Sequence, residues 1–170
     1  MQTVTITSRA GNAEVIVEDP QQHMQHSWAA GEFFEQRMLE YIYWHYKGGV
    51  FVDLGACQGN HALFFAKFCA PSLVIAIEPV VDNVAYQRRV YALNGVDRIV
   101  HIHNCAVSDK AGKGTMERFG SSRGQFKLTP GTDVFVETLV SIVAKEHAQL
   151  VAQAGQGGQD RRRGPRVARA

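Results

Sequence analysis

Two acids and two glycines are the residues of this sequence best placed to do chemistry. Asp53 lies near the end of the apolar run Val50-Phe51-Val52-Asp53-Leu54. Gly55 and Gly59 follow it, and Glu78 stands 25 residues past Asp53, just after a second apolar run, Leu73–Ile77. Gly55 can take positive φ, and its missing side chain lets a ligand approach the backbone. Gly59 lets a following helix start close against the strand, and the first amides of that helix favour a negative ligand group. A carboxylate at Glu78 can accept both hydroxyls of a ribose. In an open α/β sheet, ligands bind beyond the carboxyl ends of the strands. That predicts one crevice lined by Asp53–Gly59, Glu78-Pro79 and Asn104-Cys105-Ala106.

The glycine spacing separates two ligand classes. A dinucleotide site needs G-x-G-x-x-G, because a pyrophosphate must sit against the helix. Counting from Gly55, Cys57 and Asn60 occupy the places of the second and third glycines. The pattern is D-x-G-x-x-x-G, which suits a ligand with a ribose, a base and an amino-acid moiety but no phosphate. S-adenosylmethionine fits that description. Other reactive types read as structural. Cys57 and Cys105 are expected to be small packed residues, since no basic partner is evident. His101 and His103 share a strand face, but with no third ligand nearby they read as structural rather than metal-binding. Asn104 reads equally well as a turn-closing residue and as an adenine contact. His61 is a candidate neighbour of the substrate.

The elements that must position these residues follow from periodicity. Thr3–Ile6 and Ala13–Glu18 alternate and predict a hairpin around Arg9-Ala10-Gly11-Asn12. Residues 21–31, with His23 and His26, read as a polar loop. Glu32–Tyr46 reads as a helix with Phe34, Met38, Tyr41 and His45 at helical spacing, stopped by Lys47-Gly48-Gly49. Val50–Leu54 and Leu73–Ile77 read as parallel strands buried on both faces. His61–Phe68 is the helix between them, offering Leu63, Phe64 and Phe68 to the core. The next helix has Asp82 as its expected N-cap, Tyr86, Val90 and Leu93 as its apolar face and Gly95 at its end. Arg98–His103 is a third strand. The alternation argues for an α/β sheet with right-handed crossovers. Ser108–Gly131 reads as a long loop or irregular hairpin, Asp133–Val140 as a strand and Ser141–Ala154 as a helix. Gly155–Ala170 is expected to be disordered.

Composition bounds the rest. The chain has 170 residues, 45% hydrophobic and 20% charged, which is enough for one domain with a real core. The formal charge is +2, but five arginines lie in the last ten residues; without them thirteen basic residues face sixteen acids, a net −3. The basic pI therefore belongs to the tail, which reads as a solvated end rather than a nucleic-acid-binding element. No apolar run approaches the roughly 18 residues of a membrane helix, and no signal-peptide pattern opens the chain. Three widely spaced cysteines suggest neither a disulfide framework nor a zinc site. The expectation is a cytoplasmic protein.

Several pieces, in order and spacing, resemble the FkbM family of S-adenosylmethionine-dependent methyltransferases: Phe51-Val52-Asp53-Leu54-Gly55-Ala56-Cys57-Gln58-Gly59-Asn60-His61, Ile77-Glu78-Pro79, Leu93-Asn94-Gly95 and Asn104-Cys105-Ala106-Val107-Ser108-Asp109. Gly31-Glu32-Phe33-Phe34-Glu35 is similar to the family's entry helix, and Val136-Glu137-Thr138-Leu139 to its next strand. The resemblance spans roughly residues 30 to 143. It implies a Rossmann-like class I methyltransferase sheet with helices on both faces, S-adenosylmethionine as cofactor, and methylation of a hydroxyl on a sugar or small molecule. The cofactor-binding residues expected are Asp53, Gly55, Ala56, Gly59, Asn60, Glu78, Pro79, Asn104 and Ala106, with no metal and no assigned catalytic base. Two departures stand out. Position 140 is valine where the family has an acid, and no D-x-E-G-like strand follows, so the second half of the sheet is expected to be incomplete. The expected organisation is an N-terminal β-hairpin and loop (1–29), a partial methyltransferase domain (30–143), and a helix remnant with a disordered Arg-rich tail (144–170). The alternative is a truncated or degenerate methyltransferase that keeps part of the cofactor site without turnover. An NAD-dependent oxidoreductase is a third reading, opposed by the glycine spacing.

Overall fold

The computed structural model describes residues 1–120 and 124–160, with side chains as far as residue 152. The chain opens with the antiparallel hairpin β1 (Gln2–Ser8) and β2 (Gly11–Val17), then α1 (His23–Ala29) and α2 (Gln36–His45). Next come β3 (Val50–Leu54), α3 (Asn60–Phe68), β4 (Leu73–Ile77), α4 (Val81–Leu93) and β5 (Val100–His103). The last part holds β6 (Ala106–Val107), β7 (Gly112–Arg118), β8 (Phe126–Pro130), β9 (Val134–Glu137) and α5 (Leu139–Asp160).

The architecture is mixed α/β. β3, β4 and β5 form a parallel sheet in chain order, with Val50 opposite Leu73 and Val74 opposite Val100. A separate four-stranded sheet has the order β6-β9-β7-β8, parallel between β6 and β9 and antiparallel elsewhere. Three parallel strands with intervening helices agree with the α/β expectation, but no reversal of strand order occurs among the described residues, so the topology does not establish the Rossmann-like sheet.

The sheet carries apolar side chains on both faces, and each face has its own core. On one face Val74 and Ala76 pack with Leu63 and Phe64 of α3, Tyr86 and Val90 of α4, Trp28 of α1, Leu39 of α2 and the hairpin's Ile6 and Val15. On the other, Leu73, Ile75 and Ile77 pack with Cys105 and with Ile142 of α5. α5 is fastened by one buried carboxylate. Glu146 meets His101 Nδ1 at 2.6 Å through one oxygen and His103 Nε2 at 2.7 Å through the other. The two histidines therefore have a third partner, from a helix more than forty residues away. Among the described residues no group of three or more His, Cys, Asp or Glu forms a site able to hold a metal.

Several expectations need correction. β3 is not buried on both faces: Val50, Val52 and Leu54 are 48%, 37% and 52% exposed. They continue the row of Leu73, Ile75 and Ile77, but among the described residues β3 is an edge strand and α5 does not cover it. The loop at 21–31 contains α1, whose Trp28 is fully buried. α2 begins only at Gln36, and it buries Leu39 while Met38, Tyr41 and His45 are exposed. Asp82 is not the N-cap of α4: that place is taken by Val80, with no side-chain cap bond, and Asp82 sits in the first turn. α4 buries Tyr91 rather than Leu93. The loop expected over Ser108–Gly131 contains the β7–β8 hairpin. α5 takes in residues 155–160 of the stretch expected to be disordered, and the rest of that stretch lies outside the described residues. All three cysteines are buried and unbridged. No helix among the described residues is long and apolar enough to cross a membrane.

Candidate functional site

The glycine loop turns from β3 into α3 through three left-handed residues. Gly55 has φ +73°, Cys57 +49° and Gly59 +85°. A non-glycine residue in that region is held at a cost of about 1–2 kcal/mol. At Cys57 three polar contacts hold the strained backbone. Its N–H donates to Glu78 Oε2 at 2.8 Å, its carbonyl accepts from Gln87 Nε2 at 2.7 Å, and its sulfur lies 3.8 Å from Asn83 Nδ2. Strain held in this way marks a loop whose shape is specified.

The two glycines have different reasons. A Cβ on Gly59 would collide with the Tyr91 hydroxyl and come within 2.9 Å of its ring. Gly59 therefore admits α4 against the loop as well as starting α3. A Cβ on Gly55 would meet nothing within 4 Å, so Gly55 faces open space. That is the place where a ligand can approach the backbone.

Five amides between Gly55 and Ala62 are engaged inside the protein. Gly55 and Ala56 both donate to the Ile77 carbonyl, Cys57 to Glu78, Gly59 to the Ala56 carbonyl, and Ala62 to Asp53 Oδ2. A pyrophosphate needs free amides here. A ligand at Gly55 therefore finds the amides of Gly55, Ala56 and Cys57 already spent within the protein.

Glu78 is 4% exposed and turned inward. Its Oε2 accepts from Cys57 N–H, and its Oε1 accepts from Val80 N–H at 2.9 Å and Asn83 Nδ2 at 3.2 Å. A carboxylate offers about four lone-pair directions. Three are filled, so room remains for one ligand hydroxyl rather than for two. Burial raises the Glu78 carboxyl above its ordinary value, against the opposing pull of its three donors. Burial also raises Asp53, opposed by His61 and the Ala62 amide. Tyr91 is raised well above the usual phenol range by burial, with Asp53 and Glu78 adding to the effect.

The other expected residues divide by reach. Asn104 is exposed and donates through Nδ2 to the carbonyls of Glu78 (2.9 Å) and Pro79 (3.0 Å), so it ties the end of β4 to the end of β5. Pro79 is half-buried beside it, and Ala56 is buried under the loop. Asn60 is 1% exposed and structural in its contacts: its Oδ1 accepts from Trp28 Nε1 and Phe34 N–H, and its Nδ2 donates to the Phe34 carbonyl. Ala106 belongs to β6 in the second sheet and is buried there. His61 stands at ion-pair distance from Glu35, 3.1 Å.

Periodicity in apolar residues missed one part of the site. Asn83, Gln87 and Tyr91 lie four residues apart on α4 and are all buried against the glycine loop. Their signal was present as a polar i, i+4, i+8 stripe. Gln58 Nε2, Gln87 Oε1 and Tyr91 Oη are buried there without a hydrogen-bond partner among the described residues. The site is also one-sided. Strand order β3-β4-β5 shows no reversal, whereas the crevice of an open α/β sheet forms where the order reverses. One wall is built, and the side beyond β3 is open among the described residues.

Comparison with known proteins gives little. No family model matches the sequence, and no curated protein matches it. Among solved structures, the chain is similar to methyltransferase FkbM from Methylobacillus flagellatus KT, at 20% identity and a TM-score of 0.35. The match covers 57% of this chain and 22% of that one, so this chain spans less than a quarter of that protein's length.

Proposed function

We propose that the chain carries the cofactor-binding part of an S-adenosylmethionine-dependent methyltransferase whose acceptor is a hydroxyl on a sugar or small molecule. The observation that carries the reading is the glycine loop itself: Gly55 is open to a ligand, the amides around it are engaged within the protein, and Glu78 is fastened to Cys57 directly beneath. When bound, that cofactor supplies a methyl group activated on a sulfonium. Gly55 would receive its amino-acid end and Glu78 one ribose hydroxyl, with Asn104 and Pro79 bordering the base. The acceptor class rests on the sequence resemblance.

Calorimetric titration with S-adenosylmethionine tests this reading. Micromolar binding is expected in the whole chain. Glu78→Gln keeps one acceptor oxygen and should bind more weakly, and Glu78→Ala should lose roughly tenfold to a hundredfold in affinity. Equal affinity in all three would remove Glu78 from the site.

The one-sided crevice favours a second reading, a chain that holds the cofactor without turnover. Transfer of tritiated methyl from labelled cofactor to sugars or a cell extract separates the two. Labelled product is expected from the first reading and rules out the second.

A further inference from the structure

α2 has two unlike sides. Leu39 is buried in the core, whereas Arg37, Tyr41 and Trp44 recur at i, i+4 and i+7 on the opposite side, all three exposed. Gln36 and Glu40 stand on the flank between. The turn of the β1–β2 hairpin faces this flank, and an open cleft of about 940 Å³ lies between turn and helix. Among the described residues, the glycine loop, β4 and α4 contribute nothing to its lining.

Glu40 is the fixed group in the cleft. Its side chain is 15% exposed. Oε1 accepts from the Arg9 N–H and from Gln36 Nε2, both at 3.1 Å. Gln36 is held in turn by the Phe33 N–H, which donates to its Oε1 at 3.1 Å. Among the described residues, Oε2 has only the Arg9 guanidinium nearby, at 3.8 Å and beyond hydrogen-bond reach. The carboxylate is therefore fixed in direction, with one oxygen left to accept. Beside it are two rings that the core does not take up, Tyr41 at 57% and Trp44 at 64% exposed.

We propose that this cleft binds a neutral saccharide, with Trp44 and Tyr41 under the C–H face of a sugar ring and Glu40 Oε2 accepting from its hydroxyls. The proposal stands apart from the cofactor reading, because the sugar is held in this cleft and not methylated there. A pyranose has an apolar C–H face and a rim of hydroxyls, so it needs an aromatic surface beside oriented polar groups. Carboxylate, guanidinium and amide next to the rings supply both acceptors and donors. Charge selects against other occupants. Glu32 and Glu40 balance Arg9 and Arg37 in the lining, so a nucleic-acid backbone or an anionic membrane surface gains no net attraction. The lining holds no Leu, Ile, Val or Met, so it offers no groove to the apolar face of a helix. Its volume lies within the roughly 300–1,000 Å³ of small-molecule sites.

The experiment exposes the whole labelled chain to an array of neutral oligosaccharides built from glucose, galactose, mannose and N-acetylhexosamines. Sialylated and sulfated members, single-stranded RNA and phosphatidylserine vesicles serve as contrasts. Capture by at least one neutral member is expected, and that member is then titrated by calorimetry. Trp44→Ala should weaken it roughly tenfold or more, Trp44→Phe should keep most of the affinity, and Glu40→Gln should weaken it roughly threefold to tenfold. In the unaltered chain the saccharide should shift the indole N–H resonance of Trp44 and leave that of buried Trp28 in place. Failure of every neutral member to bind overturns the proposal. So does binding confined to the anionic members, RNA or vesicles, or binding that neither Trp44→Ala nor Glu40→Gln weakens. Affinity for S-adenosylmethionine should be the same in these variants as in the unaltered chain, so the saccharide cleft and the cofactor reading fail separately.

Discussion

β3 and β4 are neighbouring parallel strands of five residues each, and both are mainly apolar. Every residue of β4 is buried, whereas β3 presents Val50, Val52 and Leu54 to solvent. Their surroundings differ more than their composition. β4 has a strand on each side and a core on each face. Among the described residues β3 has one neighbour, and the helix that covers Ile75 does not reach Val52. The apolar character of a parallel strand thus reports a demand for cover without saying what supplies it. The same asymmetry runs into the candidate site, where the β4 side is closed by Glu78, Asn83 and Tyr91 and the β3 side is open at Gly55 and Leu54.

Paired truncations break this comparison most sharply. Ile75→Ala should cost about 2–5 kcal/mol in urea unfolding, the range for a buried isoleucine. Val52→Ala should cost under about 1 kcal/mol, because much of that side chain is already in water. Equal costs would mean that β3 is covered in solution.

A second test concerns Asn60, which sequence reasoning places against the cofactor and the structure places against Trp28 and Phe34. Asn60→Ala leaves buried donors and an acceptor unpaired and should cost about 2–3 kcal/mol, read from Trp28 fluorescence during unfolding. A variant of full stability with weakened cofactor binding would return Asn60 to the ligand.

The two glycines refine the contrast further. Gly55→Ala meets only backbone strain, of about 1–2 kcal/mol. Gly59→Ala meets the same strain and the Tyr91 ring, and should cost at least about 1 kcal/mol more. That excess should shrink when Tyr91→Leu is added, in a double-mutant cycle; an unchanged excess would remove Tyr91 as its cause.

The smallest effect is with pH. Burial raises the carboxyls of Asp53 and Glu78 above their ordinary values of 3.8 and 4.5, so the folded chain holds their protons more tightly than the unfolded one. Their contribution is full below those ordinary values and is lost as pH rises through the raised ones. Glu137 runs the other way. Its hydrogen bond with Lys145 lowers it, so its contribution is present above 4.5 and lost as pH falls. Asp53→Asn and Glu78→Gln should each flatten the decline of stability with rising pH, seen in urea unfolding across pH 4–7. A steeper decline in either variant would contradict the buried-acid assignment.

The sequence by itself determined the local grammar of this protein. The paired apolar runs predicted β3 and β4, the glycines at 55 and 59 marked a turn that only left-handed residues can make, and Glu78 was placed at a strand end by the run before it. Those features depend on nearest neighbours, on hydrogen-bond periodicity and on φ, and a short window contains all of them. Only the tertiary structure decided which surfaces are covered. It exposed one face of β3, took Asn60 into the packing around Trp28, lined Asn83, Gln87 and Tyr91 along the loop, and brought Glu146 between His101 and His103. Burial and partner choice are properties of long-range contacts, and no local pattern encodes which distant element will arrive to make them.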